Sequence, residues 1–125
     1  MYSADRSAAA REVKMSLFIL TGCYTSEAAR GLIKNPSNRE DAARKIIEAG
    51  GNKLLSFYVT TGETDWMAVV EAADGADLLP GMLVLGASGA VSNLKTVRAY
   101  TGREFMAAQQ KAGEIVGSYA APLKS

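Results

Sequence analysis

The fold is decided by residues 57–72, FYVTTGETDWMAVVEA, in which two apolar runs flank a short polar turn. Gly62 can adopt a positive φ and Asp65 can bond the neighbouring backbone, so the turn residues favour a tight reversal of the chain. The flanking residues are aromatic or β-branched and suit pleated strands, namely Phe57, Tyr58, Val59, Trp66, Val69 and Val70. Residues 57–72 therefore predict a β-hairpin.

Upstream of the hairpin, the pattern predicts a strand, two helices and the hairpin's first strand. Residues 16–24 are apolar on both alternating faces, as in a strand covered on both sides. Residues 25–34 have the composition of a short helix that ends before a proline. Ser37 and Glu40 have the spacing of a capping box, so a longer helix should begin there and end at a Gly-Gly pair. Residues 53–61 should then pair with the strand that follows the turn.

Downstream of the hairpin, the pattern predicts a helix, a strand and a terminal helix. The first helix should be capped by Asp77 rather than Asp74, because Pro80 then falls in the first turn, where it costs little. Residues 91–100 read as a strand, and Thr101 begins a second capping box. The terminal helix that it opens carries an apolar stripe made of Phe105, Ala108, Ala112, Ile115 and Val116.

The predicted elements run β-α-β-β-α-β with an added C-terminal helix. This order is typical of an antiparallel ferredoxin-like α+β sheet with helices on one face. Residues 1–14 form an N-terminal extension, and residues 15–125 form one domain. The strands at 17–23 and 66–70 are apolar on both faces, whereas a face open to water should alternate apolar and polar residues. The terminal helix or a second subunit must cover that other face, and we expect a homodimer formed through the sheet.

Composition argues against several classes of function. The 14 basic and 13 acidic residues give a net charge of +1, which argues against electrostatic binding of nucleic acid. With one cysteine and no histidine the chain lacks the usual metal ligands, and we expect neither a metal nor a cofactor. No apolar run approaches the roughly 20 residues of a membrane span. The N-terminus lacks the apolar centre of a secretory signal, so we expect a cytoplasmic protein without membrane contact.

The sequence resembles the GYD domain family over about residues 15–112. The features that carry the resemblance are the hairpin, Gly50-Gly51, Val97-Arg98-Ala99-Tyr100-Thr101 and Glu104-Phe105. The family's Gly-x-Tyr-Asp turn corresponds here to Gly62-Glu63-Thr64-Asp65. Thr64 therefore replaces the tyrosine, and no role of that ring carries over. Pro80 is a second departure from the family pattern, because it lies in a helix that is usually uninterrupted.

The resemblance implies a dimeric α+β barrel, in which two such sheets pack face to face. Similar barrels include cofactor-independent oxygenases and isomerases as well as binders without catalysis. We therefore expect a homodimeric protein that binds a small molecule or acts as a scaffold. The alternative is a cofactor-independent enzyme of the oxygenase or isomerase type, acting on a small organic substrate between the sheet and its helices.

Four residues combine an apolar body with a polar tip and form the predicted ligand site, namely Tyr24, Tyr58, Trp66 and Arg98. In the competing interpretation, Arg98 forms a salt bridge within the sheet, with Glu63, Asp65 or Glu71 as its partner. Asp65 is expected to serve the turn by accepting hydrogen bonds from the backbone amides of residues 62–64. No catalytic residue is predicted.

Overall fold

A computed structural model describes residues 14–122. The strands are β1 (Ser16–Tyr24), β2 (Lys53–Val59), β3 (Trp66–Ala72) and β4 (Val91–Ala99). The helices are α1 (Ser26–Lys34), α2 (Arg39–Ala49), α3 (Leu79–Ala87) and α4 (Gly102–Ile115). Short 3-10 turns occupy Gly75–Leu78 and Val116–Ser118. The predicted N-terminal extension, residues 1–14, lies almost wholly outside the described residues.

The four strands form one antiparallel sheet in the order β2-β3-β1-β4. The helices α2 and α3 pack on one face of this sheet, where Ile47 of α2 and Leu78, just before α3, join the core. The buried strand residues on that face are Phe18, Leu20, Leu54, Trp66, Ala68, Val70 and Ala72. This architecture confirms the predicted ferredoxin-like α+β fold.

The other face of the sheet is also apolar, and we call it the open face. Ile19 lies between Val69 on β3 and Val97 on β4, so three aliphatic side chains form a row across three strands. Val97 is 54% exposed. No residue of α4 is buried, so the terminal helix does not cover this row. Among residues 14–122, nothing shields the open face from water as the helices shield the other face.

Two helix starts differ from the sequence prediction. The N-cap of α2 is Asn38, whose side chain accepts from the amide of Glu40 at 3.0 Å, whereas Ser37 had been expected. Ser37 instead accepts from the Arg39 side chain. Downstream, α3 begins at Leu79, so Pro80 falls in its first turn as predicted, but the N-cap is Leu78 and no side chain caps the helix. Asp77 instead forms a capping box with Asp74 around the 3-10 turn that precedes α3. At the start of α2, two adjacent polar side chains can satisfy the same amides, so spacing alone does not choose between them.

A close approach between β1 and β3 requires a glycine at position 22. Gly22 pairs with Trp66 across the two strands, and the indole occupies the space above it. A Cβ atom on Gly22 would lie 2.5 Å from Cζ2 of Trp66 and 3.1 Å from Cδ2 of Leu94. The ring is confined by the core, so it cannot move aside without disturbing its other contacts.

Replacing this glycine should destabilise the fold. We expect Gly22→Ala to lower the free energy of unfolding by about 1–3 kcal/mol, the usual cost of overpacking. The control is Gly31→Ala, because a Cβ at this exposed helical position meets nothing within 4 Å. Alanine there should be neutral or stabilising by up to about 1 kcal/mol. Urea unfolding followed by Trp66 fluorescence measures both, and equal stability of the two variants would contradict the proposed contact.

Candidate functional site

An apolar cavity of about 170 Å³ lies between the sheet and the helices α2 and α3. Its floor is formed by the sheet, and its sides by the helices. Most of the walls are aliphatic or aromatic, namely Leu20, Ala42, Ala43, Ile46, Ile47, Phe57, Trp66, Ala68, Val84, Leu85 and Val91. Such a cavity binds an apolar group of a small molecule more readily than a charged group.

The polar groups of the cavity belong to Tyr24, Arg39 and Ser88. The same three residues also line an adjoining groove of about 360 Å³, which extends along α1 past Ala28 and Leu32. The cavity and the groove therefore meet at these three residues. An amphiphilic molecule placed there would have its apolar part in the cavity and its polar group among these side chains.

Tyr24 is held in place by Asp65. The Asp65 carboxylate accepts a hydrogen bond from the backbone amide of Tyr24 at 2.8 Å, which links the hairpin turn to the end of β1. Asp65 thus bonds a backbone amide, as predicted. The predicted donors, the amides of residues 62–64, were wrong, because the donor is the Tyr24 amide on β1. Partial burial raises the pKa of the Tyr24 phenol, and the nearby positive charge of Arg39 only partly offsets this. The phenol is therefore protonated at neutral pH and able to donate a hydrogen bond.

Trp66 forms part of the cavity wall and is 5% exposed. Its ring stacks on Phe57 with centroids 6.2 Å apart and planes inclined by 17°. Its indole Nε1 is buried and has no hydrogen-bond partner among residues 14–122. Of the four residues predicted to form a ligand site, Trp66 and Tyr24 border this cavity.

The structure places Tyr58 and Arg98 elsewhere. Tyr58 pairs with Met67 and projects from the open face, on the opposite side of the sheet from the cavity. Arg98 lies at the far end of β4, where its guanidinium stacks over Tyr100 at 4.3 Å and meets the Glu104 carboxylate at 3.5 Å. It also donates to the carbonyl of Ala99. The acid that pairs with Arg98 is therefore Glu104, and not Glu63, Asp65 or Glu71 as expected.

Arg39 was missed at the sequence level, although a signal for it was present. It precedes Ala42 by three residues and Ala43 by four, so helical spacing places it on the apolar face of α2. A charged residue at the end of an apolar stripe is a reasonable candidate for the polar end of a pocket. The four predicted ligand residues all lie on strands instead.

Two further properties of the described residues concern metals and membranes. Within residues 14–122, no group of three or more acidic, cysteine or histidine residues is placed to hold a metal ion. None of the helices in that part of the chain has the length and apolar character needed to cross a bilayer.

Comparison with known proteins gives one family and one relative. The sequence profile of the GYD domain matches residues 18–108, which confirms the resemblance derived from the hairpin and the flanking segments. The chain is 30% identical over 80 residues to the "Glutamine synthetase and cystathionine beta-lyase binding protein" of Thermus thermophilus. That match covers 64% of this chain and 84% of the relative. No solved structure matches the chain.

The bond between Asp65 and Tyr24 can be tested by two substitutions. Asp65→Asn retains a side-chain oxygen that can accept from the Tyr24 amide, so its free energy of unfolding should be close to that of the original protein. Asp65→Ala leaves the amide without its acceptor and should lose about 1 kcal/mol. Chemical denaturation measures both. A loss in Asp65→Asn as large as that in Asp65→Ala would show that the negative charge, rather than the hydrogen bond, is what matters.

Proposed function

Because the chain belongs to the GYD domain family, we propose that it acts as a homodimeric binding protein that attaches to metabolic enzymes and has no turnover of its own. The apolar open face supports the proposed homodimer, and the name of the relative supports the proposed binding to enzymes. The Thermus thermophilus relative is named for binding two enzymes, glutamine synthetase and cystathionine beta-lyase. We extend this kind of partner to the present chain.

The open face supports a dimer because its apolar row is continuous. The row formed by Val69, Ile19 and Val97 crosses three strands, and Leu17 and Met67 extend it along the sheet. Contiguous apolar surfaces of this kind are uncommon on monomers and mark interfaces. Two copies of one sheet can pack at about 10 Å with their apolar rows facing each other, which is a self-complementary arrangement. A second copy therefore covers in the dimer what α4 leaves uncovered in one chain.

The helix α4 is the surface that we propose for the enzyme partner. Its apolar stripe faces water, with Phe105 at 64% and Val116, just beyond its end, at 73% exposure. The first turn of α4 is fixed to the domain, because Thr101 and Glu104 form a capping box and Glu104 also pairs with Arg98. Once a second copy covers the open face, this stripe is one of two exposed helical apolar surfaces of the described residues, the other being formed by Leu79, Leu83 and Val84 of α3. An amphipathic helix of this kind binds in the hydrophobic groove of a partner.

The dimer is tested by a charge placed on the open face. We expect the unmodified protein to have the mass of a dimer in light scattering at micromolar concentration. Val97→Lys should weaken the dimer by about 100-fold or more, because an unpaired ammonium would be buried in the interface. The matched control is Leu83→Lys, since Leu83 is 74% exposed on α3 and lies away from the open face. A monomeric unmodified protein, or a Val97→Lys variant that is still dimeric, would contradict this arrangement.

The enzyme-binding role is tested with purified partners from the same organism. We expect glutamine synthetase or cystathionine β-lyase to bind the immobilised protein at micromolar concentration. The double substitution Phe105→Glu with Ile115→Glu should reduce this binding by about tenfold or more, because it introduces charge into the apolar stripe. Gln110→Glu adds one negative charge, against two in the double variant, on the opposite side of α4 and should leave binding unchanged. The proposal fails if neither enzyme binds, and the assignment to α4 fails if the double variant binds as well as the control.

A further inference from the structure

We propose that the cavity between the sheet and α2 binds a small monocarboxylic acid, with Arg39 holding the carboxylate and the cavity holding an apolar group about the size of one ring. This site lies on the opposite side of the sheet from the open face. It is therefore independent of the dimer and of the enzyme-binding role proposed above. Three observations carry the inference: the size of the cavity, the charge of Arg39 and the route of entry.

The size of the cavity sets the size of the apolar group. At about 170 Å³ it is close to the engineered apolar cavity of about 150 Å³ that admits benzene. Its walls are aliphatic and aromatic except where Tyr24, Arg39 and Ser88 lie. A phenyl ring or a branched chain of similar volume fits this space, whereas a nucleotide or a sugar does not.

The charge of Arg39 indicates that the polar group of the ligand is a carboxylate. Arg44 pairs with Glu40 at 2.8 Å, and Arg98 pairs with Glu104 at 3.5 Å. Arg39 is also half-buried, yet within residues 14–122 no carboxylate lies within 4.0 Å of its guanidinium. It donates instead to the neutral Ser37 hydroxyl at 3.1 Å. A planar guanidinium without an acid can bind a ligand carboxylate through two parallel hydrogen bonds.

Tyr24 adds a second donor beside the guanidinium. Tyr24 and Arg39 line both the cavity and the groove. Burial raises the pKa of the Tyr24 phenol above its ordinary value, which is already well above neutral pH, so the hydroxyl carries a proton to donate. A carboxylate has two oxygens and several acceptor sites, so it can accept from the phenol as well as from the guanidinium. A neutral amide of the same shape would gain less from this pair of donors, because the hydrogen bond from a guanidinium to a carboxylate is assisted by charge.

The route of entry is the groove along α1. The groove shares Tyr24, Arg39 and Ser88 with the cavity, and α1 buries none of its own residues against the core. A molecule can therefore reach Arg39 from solvent without disrupting the sheet. The carboxylate is expected to lie at the junction of the groove and the cavity, which Tyr24 and Arg39 both line.

The experiment uses Trp66 as an internal reporter, because it is the single tryptophan in the chain and forms part of the cavity wall. The probes are phenylacetate, benzoate and 4-methylpentanoate, with phenylacetamide as the neutral match to the first. At least one acid should change Trp66 emission saturably at millimolar or lower concentration. Phenylacetamide should bind about tenfold or more weakly than phenylacetate, if phenylacetate is the acid that binds.

Two arginine variants locate the carboxylate. Arg39→Met should weaken binding of the acid by about tenfold or more and remove the preference for acid over amide. Arg30→Met is the matched control, because Arg30 is exposed on α1 and lines neither space, so its affinity should be unchanged. Ala43→Leu fills the cavity and should abolish binding of acid and amide alike, and circular dichroism checks that each variant is folded.

Several results would overturn the proposal. It is wrong if none of the three acids changes Trp66 emission saturably, or if the amide binds as tightly as its acid. It is also wrong if a folded Arg39→Met variant binds the acid with unchanged affinity. None of these results depends on the oligomeric state or on partner enzymes, so failure here is distinguishable from failure of the proposed adaptor role.

Discussion

The contact between the Trp66 indole and the bare backbone of Gly22 is the constraint on which much of the domain depends. The glycine leaves room for a large ring directly above the β1–β3 pair, and the ring stacks there on Phe57 of β2. One side chain on β3 thus packs against both neighbouring strands, β1 and β2. Burial of a tryptophan contributes about 4–6 kcal/mol at 25 cal/mol per Å², which exceeds the 1–3 kcal/mol cost of its unpartnered Nε1.

The position of this ring also explains why a cavity can persist in a well-packed core. Trp66 and Phe57 are stiff and stacked, so they cannot collapse into the space beside them as flexible side chains would. On the other side, α2 presents Ala42 and Ala43, which are too short to reach across. The cavity is therefore a consequence of large rigid residues on the sheet facing small residues on the helix.

The sequence was sufficient to predict the sheet but not the residues that cap the helices. Alternating and two-sided apolar residues predicted all four strands, because burial on one or both faces leaves a local pattern. The late start of α3 was predicted correctly, although its N-cap is Leu78 and not Asp77. The cap of α2 was misplaced by one residue, since Ser37 and Asn38 can satisfy the same amides. Sequence spacing contains no information that distinguishes them.

The candidate site was harder to predict than the fold, for a related reason. Tyr24 and Trp66 were proposed because aromatic residues with polar tips suit pockets, and both border the cavity. Arg98 was predicted to belong to the same site. Whether an arginine lines a pocket or pairs with an acid depends on the position of the element that follows it in the chain. Here the chain turns into α4 and brings Glu104 to Arg98. Among residues 14–122 Arg39 has no such acidic neighbour, and only the assembled structure reveals this difference.

The hydrogen bonds at the ends of the strands determine which parts of the cavity are rigid. Asp65 fixes the Tyr24 backbone, and the Thr25 side chain donates to the Gly89 carbonyl at 2.8 Å while also capping α1. These bonds tie the hairpin turn, the start of α1 and the loop before β4 to one another. Beyond that anchored first turn, α1 has no buried residue, so its displacement would cost little core packing. The cavity is thus rigid at the sheet, whereas the groove along α1 is adaptable, so the entry route can widen while the position of the carboxylate stays the same.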